Sequence, residues 1–250
     1  AADATTKQVD SYEGYGNWNF GYGYQFWRSQ VGYRADGSLG QFSFVLPEQD
    51  LVLALTSGTS NDGGTNRIMN VVFQYFREPL GDALPENPEA YAALTTALGS
   101  LALSVPEGAP ASPLAANVSG RRYDVAANGQ GVTRVQLAFP EAQSPVLTIE
   151  DADGAHAIAV GIGQWVRGRT GFKKHINELF DTPDQAVSAL GAWAADNTFV
   201  VKLAFTETPY TEDVRFTFNG DDVTVDQTYN VRWGSATEPQ LVGKRSPSIQ

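Results

Sequence analysis

The sequence predicts an α+β protein, in which a small antiparallel sheet with helices is followed by a mainly antiparallel β-barrel. Three observations lead to this fold class. Strand-like apolar runs and two helical patterns occupy the first hundred residues, a proline-rich stretch follows, and the rest is short alternating runs separated by turns. We therefore expect a first domain at 1–104, a linker at 105–116 and a barrel domain at 117–250.

Three strands are expected in the first domain. Aromatic residues alternate over residues 20–28, which is typical of a half-buried strand. A second strand is predicted at 42–46. The third, at 51–56, is continuously apolar and is therefore expected to lie at the centre of the sheet. Together they predict a meander.

Two helices are expected after these strands. Thr65 is a suitable N-cap for the first, and the apolar residues that follow share one helical face, namely Ile68, Val71, Val72, Tyr75 and Phe76. This face is expected to pack on the sheet. Asn87 and Pro88 begin the second helix, with a cap and a first-turn proline. Its apolar stripe consists of Tyr91, Leu94, Leu98 and Leu101.

The segment after the linker has the pattern of an antiparallel β domain. Asn219-Gly220 between two apolar runs is a strong hairpin signal. Residues 182–193 either begin as a helix, since Thr182 and Gln185 fit a capping box, or form a strand. The expected strands lie at 121–126, 132–139, 145–150, 156–162, 186–193, 198–206, 213–218, 222–227 and 229–234. They predict a small barrel or sandwich whose interior holds a ligand or, as we expect, is filled by side chains.

Composition excludes several classes of function. The net charge of −11, without a dense basic stripe, argues against a nucleic-acid partner. The chain has no cysteine, which excludes disulfides and thiol chemistry. No run approaches the roughly 18 apolar residues that a transmembrane helix needs. His156 and His175 have no partner at metal-ligand spacing, so we expect no metal and no cofactor. Periplasmic, secreted and cytoplasmic locations are all compatible with this composition.

A glycine-rich turn provides the candidate site of the first domain. Gly37 and Gly40 allow the backbone to approach a ligand closely, and the backbone N–H of Ser38 between them is a candidate oxyanion donor. Asp36 occupies a side-chain position on the same edge. Trp27 and Gln41 are two further candidates. Each either lines the cleft or has a structural role, in core packing or as a polar residue at the edge of the sheet.

The stretch "YGYQFW…YRADGSLGQFSFVLPEQDLVLALTSGT" resembles the C-terminal part of the transpeptidase-like domain of serine β-lactamases, penicillin-binding proteins and related esterases. In that family a Lys-Thr-Gly or His-x-Gly triplet begins a strand that forms one wall of the active site. The matching triplet is Ala35-Asp36-Gly37, and the resemblance covers about residues 12–80. The stretches "GAW…DNTFVVKLAFTETPY" and "NVRWG" are similar to the lipocalin-like C-terminal domain appended to many of these hydrolases.

The resemblance implies a serine hydrolase of esterase or peptidase type, with two departures from the family pattern. No serine in the chain has a lysine three residues on, so the Ser-x-x-Lys nucleophile is absent. Ala35 replaces the cationic residue of the third box, and Asp36 disfavours anionic substrates by like-charge repulsion. Tyr15-Gly16-Asn17 has the form of the Tyr-x-Asn box, but it lies too close to the glycine-rich turn.

Three hypotheses follow for the function. The chain is the C-terminal part of a serine hydrolase that acts on a small-molecule or peptide acyl substrate. It then needs an N-terminal companion chain that carries Ser-x-x-Lys. Alternatively, the chain is a lipocalin-like ligand-binding module, or a barrel that only stabilises or oligomerises its neighbour.

Overall fold

The computed structural model describes residues 2–12, 14, 16–60, 63–78, 81–83, 85–172, 183–232 and 235–247. The chain divides into two compact units, Ala1–Leu103 and Ser104–Gln250. The linker at 105–116 stays a prediction. Within the second unit, Ala109 of that stretch exchanges backbone hydrogen bonds with Trp193 at 2.8 and 2.9 Å.

The first unit contains a four-stranded antiparallel sheet. After a short helix α1 (Ala2–Thr5), the strands follow one another in sequence order: β1 (Trp27–Arg28), β2 (Tyr33–Gly37), β3 (Gln41–Leu46) and β4 (Leu51–Leu55). The central position expected for the strand at 51–56 is wrong, since β4 ends this strand order. The expected strand at 20–28 is wrong, because in that range only Trp27–Arg28 form a strand. Gly23 explains the difference. A side chain there would lie 2.3 Å from the Ala4 carbonyl, so this stretch packs against the N-terminal segment.

The second helix, α2 (Gly64–Phe76), packs on one face of β3. Alternation along β3 gives one apolar face, and the core it forms with α2 consists of Phe42, Phe44, Leu46, Met69, Val72 and Phe73. The N-cap is Gly63, and Thr65 lies inside the helix. The face of the helix that is buried also differs from the expected one, because Val71 and Tyr75 are exposed.

The third helix, α3 (Pro88–Gly99), begins as predicted. The side-chain oxygen of Asn87 accepts a 3.0 Å hydrogen bond from the backbone N–H of Ala90. This bond satisfies one of the donors that a helix leaves unpaired at its N-terminus. The apolar stripe predicted for this helix is exposed at all four positions, namely Tyr91, Leu94, Leu98 and Leu101.

The second unit is a nearly closed antiparallel barrel preceded by a short helix, α4 (Ala115–Val118). The strands are β5 (Arg122–Val125), β6 (Arg134–Ala138), β7 (Val146–Asp151), β8 (Gly154–Ala159), β9 (Gly161–Ile162), β10 (Val166–Thr170), β11 (Gln185–Ala195), β12 (Thr198–Phe205), β13 (Thr211–Asn219), β14 (Asp222–Tyr229) and β15 (Leu241–Arg245). Ten of them are neighbours in the order β10-β11-β12-β13-β14-β15-β5-β6-β7-β8, and β9 pairs in parallel with β11.

The barrel has one interruption in its hydrogen-bonded ladder. Strands β8 and β10 lie at the two ends of the strand order and approach each other without pairing. Alternation fixes which side chains face inward. Along β12 they are Phe199, Val201, Leu203 and Phe205, all of them buried.

The barrel that the sequence predicts is confirmed, with corrections to individual strands. Asn219 and Asp222 pair across the predicted hairpin, and Gly220 between them has a φ of +64°. Residues 185–195 form a strand, so the helical alternative is wrong there, while Thr182 lies outside the described residues. Strands β10 and β15 were not predicted. The expected strand at 229–234 is also wrong, since its described part has only Tyr229 in a strand.

Candidate functional site

The barrel interior differs in chemistry between its two ends. At one end, called the aromatic end, five inward or buried rings pack on one another: Tyr123, Phe139, Trp193, Phe199 and Phe218. Their centroids are 5.0 to 6.2 Å apart. Gly191 faces this cluster, because a Cβ there would lie 2.6 Å from the Phe199 ring. Side chains therefore fill this end, as the sequence predicted for the whole interior.

The opposite end, called the polar end, contains three buried polar side chains on β13 and β14: Glu212, Gln227 and Tyr229. Glu212 lies across from Leu203 on β12 and Tyr229 on β14, which are both buried inward positions. Its side chain is fully buried, at 0% exposure. The amide Nε2 of Gln227 donates a 2.7 Å hydrogen bond to Glu212 Oε1.

The Tyr229 hydroxyl belongs to the same group of side chains. Burial raises the pKa of Tyr229 well above its ordinary value, and the neighbouring carboxylates of Glu212 and Glu238 raise it further. The phenol is therefore neutral at pH 7 and acts as a hydrogen-bond donor to Glu212. Arg232 lies over the Tyr229 ring, 5.9 Å from its centroid, and forms an ion pair with Glu238.

The polar end continues on β10 and β11. Thr170 and Gln185 lie opposite each other in the register of these strands. The Gln185 amide donates a 2.9 Å hydrogen bond to the carbonyl of Phe172, whose N–H donates to the Thr170 hydroxyl at 3.1 Å. These bonds fix the chain where it leaves β10.

A histidine lies next to this segment. His156 of β8 is 2.9 Å from the carboxylate of Asp151, and its ring is 6.2 Å from that of Phe172. Both side chains of the His156–Asp151 pair are largely buried. The polar end thus extends from β14 to the two strands that flank the interruption in the ladder.

A glycine of β10, Gly168, lies beside this interruption in the ladder. Gly168 lies opposite Val187, whose side chain is buried in the interior, so position 168 faces inward. Among the described residues, a Cβ built on Gly168 meets no atom within 4 Å, and the residue is exposed. Position 168 therefore has an inward direction but no side chain.

In the first unit, the structure gives Asp36 partners within the protein. Its Oδ2 accepts hydrogen bonds from Arg34 Nε at 3.0 Å and from Trp18 Nε1 at 2.8 Å. Arg34 is fully buried, with its guanidinium 5.6 Å from the Trp18 ring and 5.9 Å from the Trp27 ring. Burial raises the pKa of Asp36, against the lowering by Arg34 and Trp18. These contacts favour a structural role for this carboxylate, and substrate binding by it stays a prediction.

The glycine-rich turn connects β2 to β3. Ser38 is exposed at the tip of this turn. Gly40 has a φ of +87°, and a Cβ there would lie 2.2 Å from the Ser57 hydroxyl. Gln41 also contacts Ser57, since its side-chain oxygen accepts from the Ser57 N–H at 3.3 Å. The close approach of the backbone at Gly40 is therefore to the segment after β4.

A Cβ on Gly37 would lie 3.0 Å from Gln41 Cβ within the hairpin itself. The oxyanion and substrate-binding roles of this turn stay predictions.

Trp27 is half-buried and lines a surface groove, while its role in lining a substrate cleft stays a prediction. Its ring stacks on Tyr12 at 6.0 Å and meets Tyr22 edge-on at 4.8 Å. The groove has a volume of about 470 Å³. It lies on the side of Trp27 that faces the N-terminal segment, where Val9 and Ser11 also line it.

Two larger grooves lie on the outer face of the barrel. One, of about 660 Å³, is bounded by residues 104–107 and by outward side chains of β12 to β14, including the Lys202–Asp213 ion pair. The other, of about 630 Å³, contains four arginines, Arg121, Arg122, Arg134 and Arg245. Three of these four have ion pairs with Asp124, Glu150 or Asp221.

The described residues contain no group of three or more histidine, aspartate or glutamate side chains placed to hold a metal ion. None of the helices in this part of the chain has both the length and the apolar character needed to cross a membrane. His175 and the neighbouring lysines lie outside the described residues.

Sequence reasoning missed the three polar residues of β13 and β14. The signal is the phase of alternation. Glu212 is in phase with the inward residues Val214, Phe216 and Phe218. Gln227 and Tyr229 are likewise in phase with Val223 and Val225. A polar residue in the inward phase of a strand is a candidate interior ligand-binding group.

Solved structures include neighbours of this chain, whereas the family models and curated proteins do not match it. Among solved structures, the chain is similar to a fatty-acid-binding protein isolated from Manduca sexta, with 14% sequence identity and a TM-score of 0.37. The similarity covers 51% of this chain and 98% of that chain.

Proposed function

We propose that the second unit is a ligand-binding module, which takes up a small amphiphilic molecule inside the barrel. The apolar part of the ligand lies along the inward valines, leucines and phenylalanines of β11 to β14. Its polar group lies at the polar end, next to Glu212 and Gln227. In this account the chain binds its ligand and does not react with it.

One observation carries this proposal. The amide of Gln227 uses its Nε2 on Glu212, while its Oε1 is buried and accepts no hydrogen bond among the described residues. The amide cannot be turned round, because that would place its oxygen against a carboxylate oxygen. Buried polar atoms in native proteins almost always have partners, since an unpaired one costs about 1–3 kcal/mol. A bound molecule with a donor group supplies the partner that Oε1 needs.

The interruption of the ladder beside β10 supports the same proposal. A ligand site inside a barrel needs a route from solvent, at an open end or through a gap between strands. The unpaired β8 and β10 leave such a route, and Gly168 keeps it free of a side chain.

Binding of a neutral, environment-sensitive dye tests the proposal. We expect Nile red to bind the purified chain saturably with a stoichiometry of one, and unlabelled long-chain alcohols to displace it. Fluorescence that rises linearly with dye concentration, without saturation or displacement, would remove the proposal's support. Trp193 lies at the aromatic end, so quenching of its emission on binding gives a second readout.

The hydrolase hypothesis concerns the first unit and stays a prediction. The comparisons give no support to the resemblance to serine β-lactamases. The observation in its favour is the order of β2, β3, β4 and α2, with α2 packed on the sheet, as that resemblance implies. Sequencing upstream of the region that encodes this chain tests it. An open reading frame with Ser-x-x-Lys supports the hypothesis, and its absence both upstream and in any co-purifying chain contradicts it.

A further inference from the structure

One groove of the second unit, called the arginine groove, collects positive charge. Its volume is about 630 Å³, and its lining includes Arg121, Arg122, Arg134 and Arg245. These residues belong to three neighbouring strands, in the order β15-β5-β6, and to the position just before β5. The whole chain has 17 lysines and arginines against 28 acidic residues, so the groove is a cationic recess on an acidic chain.

Backbone hydrogen bonds fix the places from which these side chains extend. The N–H of Ser246 donates to the carbonyl of Arg122 at 2.8 Å, and the N–H of Arg245 donates to the carbonyl of Asp221 at 2.7 Å. The chain is therefore held on both sides of the groove. A site whose backbone is already ordered loses less entropy when a ligand binds.

Arg134 is closely paired within the protein. Its Nε and Nη1 donate to Asp124 and Glu150 at 2.8 and 2.7 Å. These are the usual lengths of charge-assisted hydrogen bonds. Arg134 therefore forms a fixed part of the groove wall.

The other three arginines are paired loosely or not at all. Arg121 and Arg245 approach the same oxygen of Asp221, at 3.9 and 3.3 Å, so they share one carboxylate. Arg122 is exposed and forms no side-chain ion pair with the described residues. Each guanidinium has five N–H donors, and most donors of these three groups remain open to a ligand.

Tyr123 adds a further donor at this end of the barrel. It lies across from Arg245 in the register of β15 and β5 and is buried. Burial raises the pKa of Tyr123, while the charges of Arg121 and Arg245 lower it, so the hydroxyl is close to both arginines. This hydroxyl has no hydrogen-bond partner among the described residues. The surroundings of the groove therefore favour a ligand that accepts hydrogen bonds.

The geometry of the donors favours a phosphate group over a carboxylate. A guanidinium presents its N–H groups as a planar fork that matches two oxygens of a phosphate. A phosphate or diphosphate has oxygens on several sides and can accept from three arginines at once, whereas a carboxylate has only two oxygens. The net charge of −11 disfavours an extended polyanion or an anionic membrane, because both would also approach the acidic surface around the groove.

We propose that the arginine groove binds a small soluble molecule through a phosphate or diphosphate group, which Arg121, Arg122 and Arg245 hold. The groove lies on the outer face of the barrel, so this site does not depend on the interior ligand site proposed above.

Calorimetric titration of the purified chain with inorganic pyrophosphate tests the proposal. We expect saturable binding of one pyrophosphate per chain, and at least about tenfold weaker binding of acetate at the same ionic strength. Equal affinity for the two anions would overturn the proposal. Sedimentation with phosphatidylcholine vesicles that contain phosphatidic acid distinguishes a lipid head group from a soluble phosphate. We expect no co-sedimentation, and vesicle binding would overturn the assignment to a soluble ligand.

Two variants separate the groove from the overall charge of the chain. Arg122→Gln removes one positive charge from the groove without breaking an ion pair among the described residues. Lys244→Gln removes the same charge from an exposed position on β15, next to Arg245 but outside the groove lining. We expect pyrophosphate to bind Arg122→Gln about tenfold more weakly than wild type, and Lys244→Gln to bind it within about twofold of wild type. Equal losses in the two variants would overturn the assignment to the groove.

Discussion

Gln227 on β14 donates a 2.7 Å hydrogen bond to Glu212 on β13, and both side chains are buried inside the barrel. The two residues do not lie directly opposite each other, since Glu212 pairs with Tyr229 and Gln227 with Val214. The bond therefore runs diagonally across neighbouring strands on the inward face. It holds a carboxylate and an amide at one end of an interior that is otherwise mostly apolar.

Replacing Gln227 by leucine should destabilise the second unit. The buried carboxylate of Glu212 loses a donor, and hydrogen bonds to charged groups contribute about 1.5–3 kcal/mol. We expect a loss of that size in urea unfolding followed by tryptophan fluorescence. Asp226→Asn is the control, because its side chain points outward and should change stability by less than about 0.5 kcal/mol. Equal stability of Gln227→Leu and wild type would show that the bond does not support Glu212.

A large side chain at Gly168 should block the route into the barrel. The position faces inward, and a Cβ there meets no atom of the described residues within 4 Å, so we expect phenylalanine to fit without displacing the core. We expect Gly168→Phe to weaken Nile red binding at least about tenfold. The matched control is Arg167→Phe, one residue earlier on the outward face, which should leave the affinity unchanged. A similar loss in both variants would argue against a route at this position.

The two inward glycines of β10 and β11 should respond differently to the same substitution. A Cβ at Gly191 would lie 2.6 Å from the Phe199 ring, whereas one at Gly168 would meet no atom within 4 Å in the described part of the chain. Overpacking of a filled core typically costs about 1–3 kcal/mol. We therefore expect Gly191→Val to lower the free energy of unfolding by that amount and Gly168→Val to have little effect. If both variants are equally stable, the aromatic end is not as closely packed as described.

In the first unit, Asp36→Asn tests whether this carboxylate serves structure. Arg34 is fully buried, and removing its charged partner leaves the guanidinium uncompensated, at a cost of about 3–5 kcal/mol. We expect a loss of this order in the unfolding of the first unit. Asp50→Asn is the control, because Asp50 is exposed and its φ of +49° is one that asparagine adopts readily. An unchanged stability in Asp36→Asn would instead favour a role in contacts with a substrate or partner.

The sequence predicted the barrel because its signals are local. Alternation in "FVVKLAF" and the turn at Asn219-Gly220 depend only on neighbours along the chain. Strand β15 could not be predicted in the same way, since "LVGKR" is short and is paired only by β14 and β5 from distant parts of the chain. The prediction of a strand at 20–28 was wrong because glycines within this range let the backbone approach the N-terminal segment.

The candidate site depends on contacts that no local pattern contains. The phase of Glu212 within β13 marks it as inward, yet its bond to Gln227 requires the register between two strands. Asp36 shows the opposite case. Its place next to a glycine-rich turn indicated a substrate contact, whereas the structure places it between Arg34 and Trp18, which are brought together only by folding.

Native mass spectrometry with a set of amphiphiles tests the central claim most directly. The purified chain, of 26.9 kDa, is incubated with amines, alcohols and carboxylates of equal chain length and then sprayed under non-denaturing conditions. We predict a single bound molecule per chain for at least one of these amphiphiles. A chain that binds none of them, or binds many copies without preference, would contradict the account of an interior ligand site.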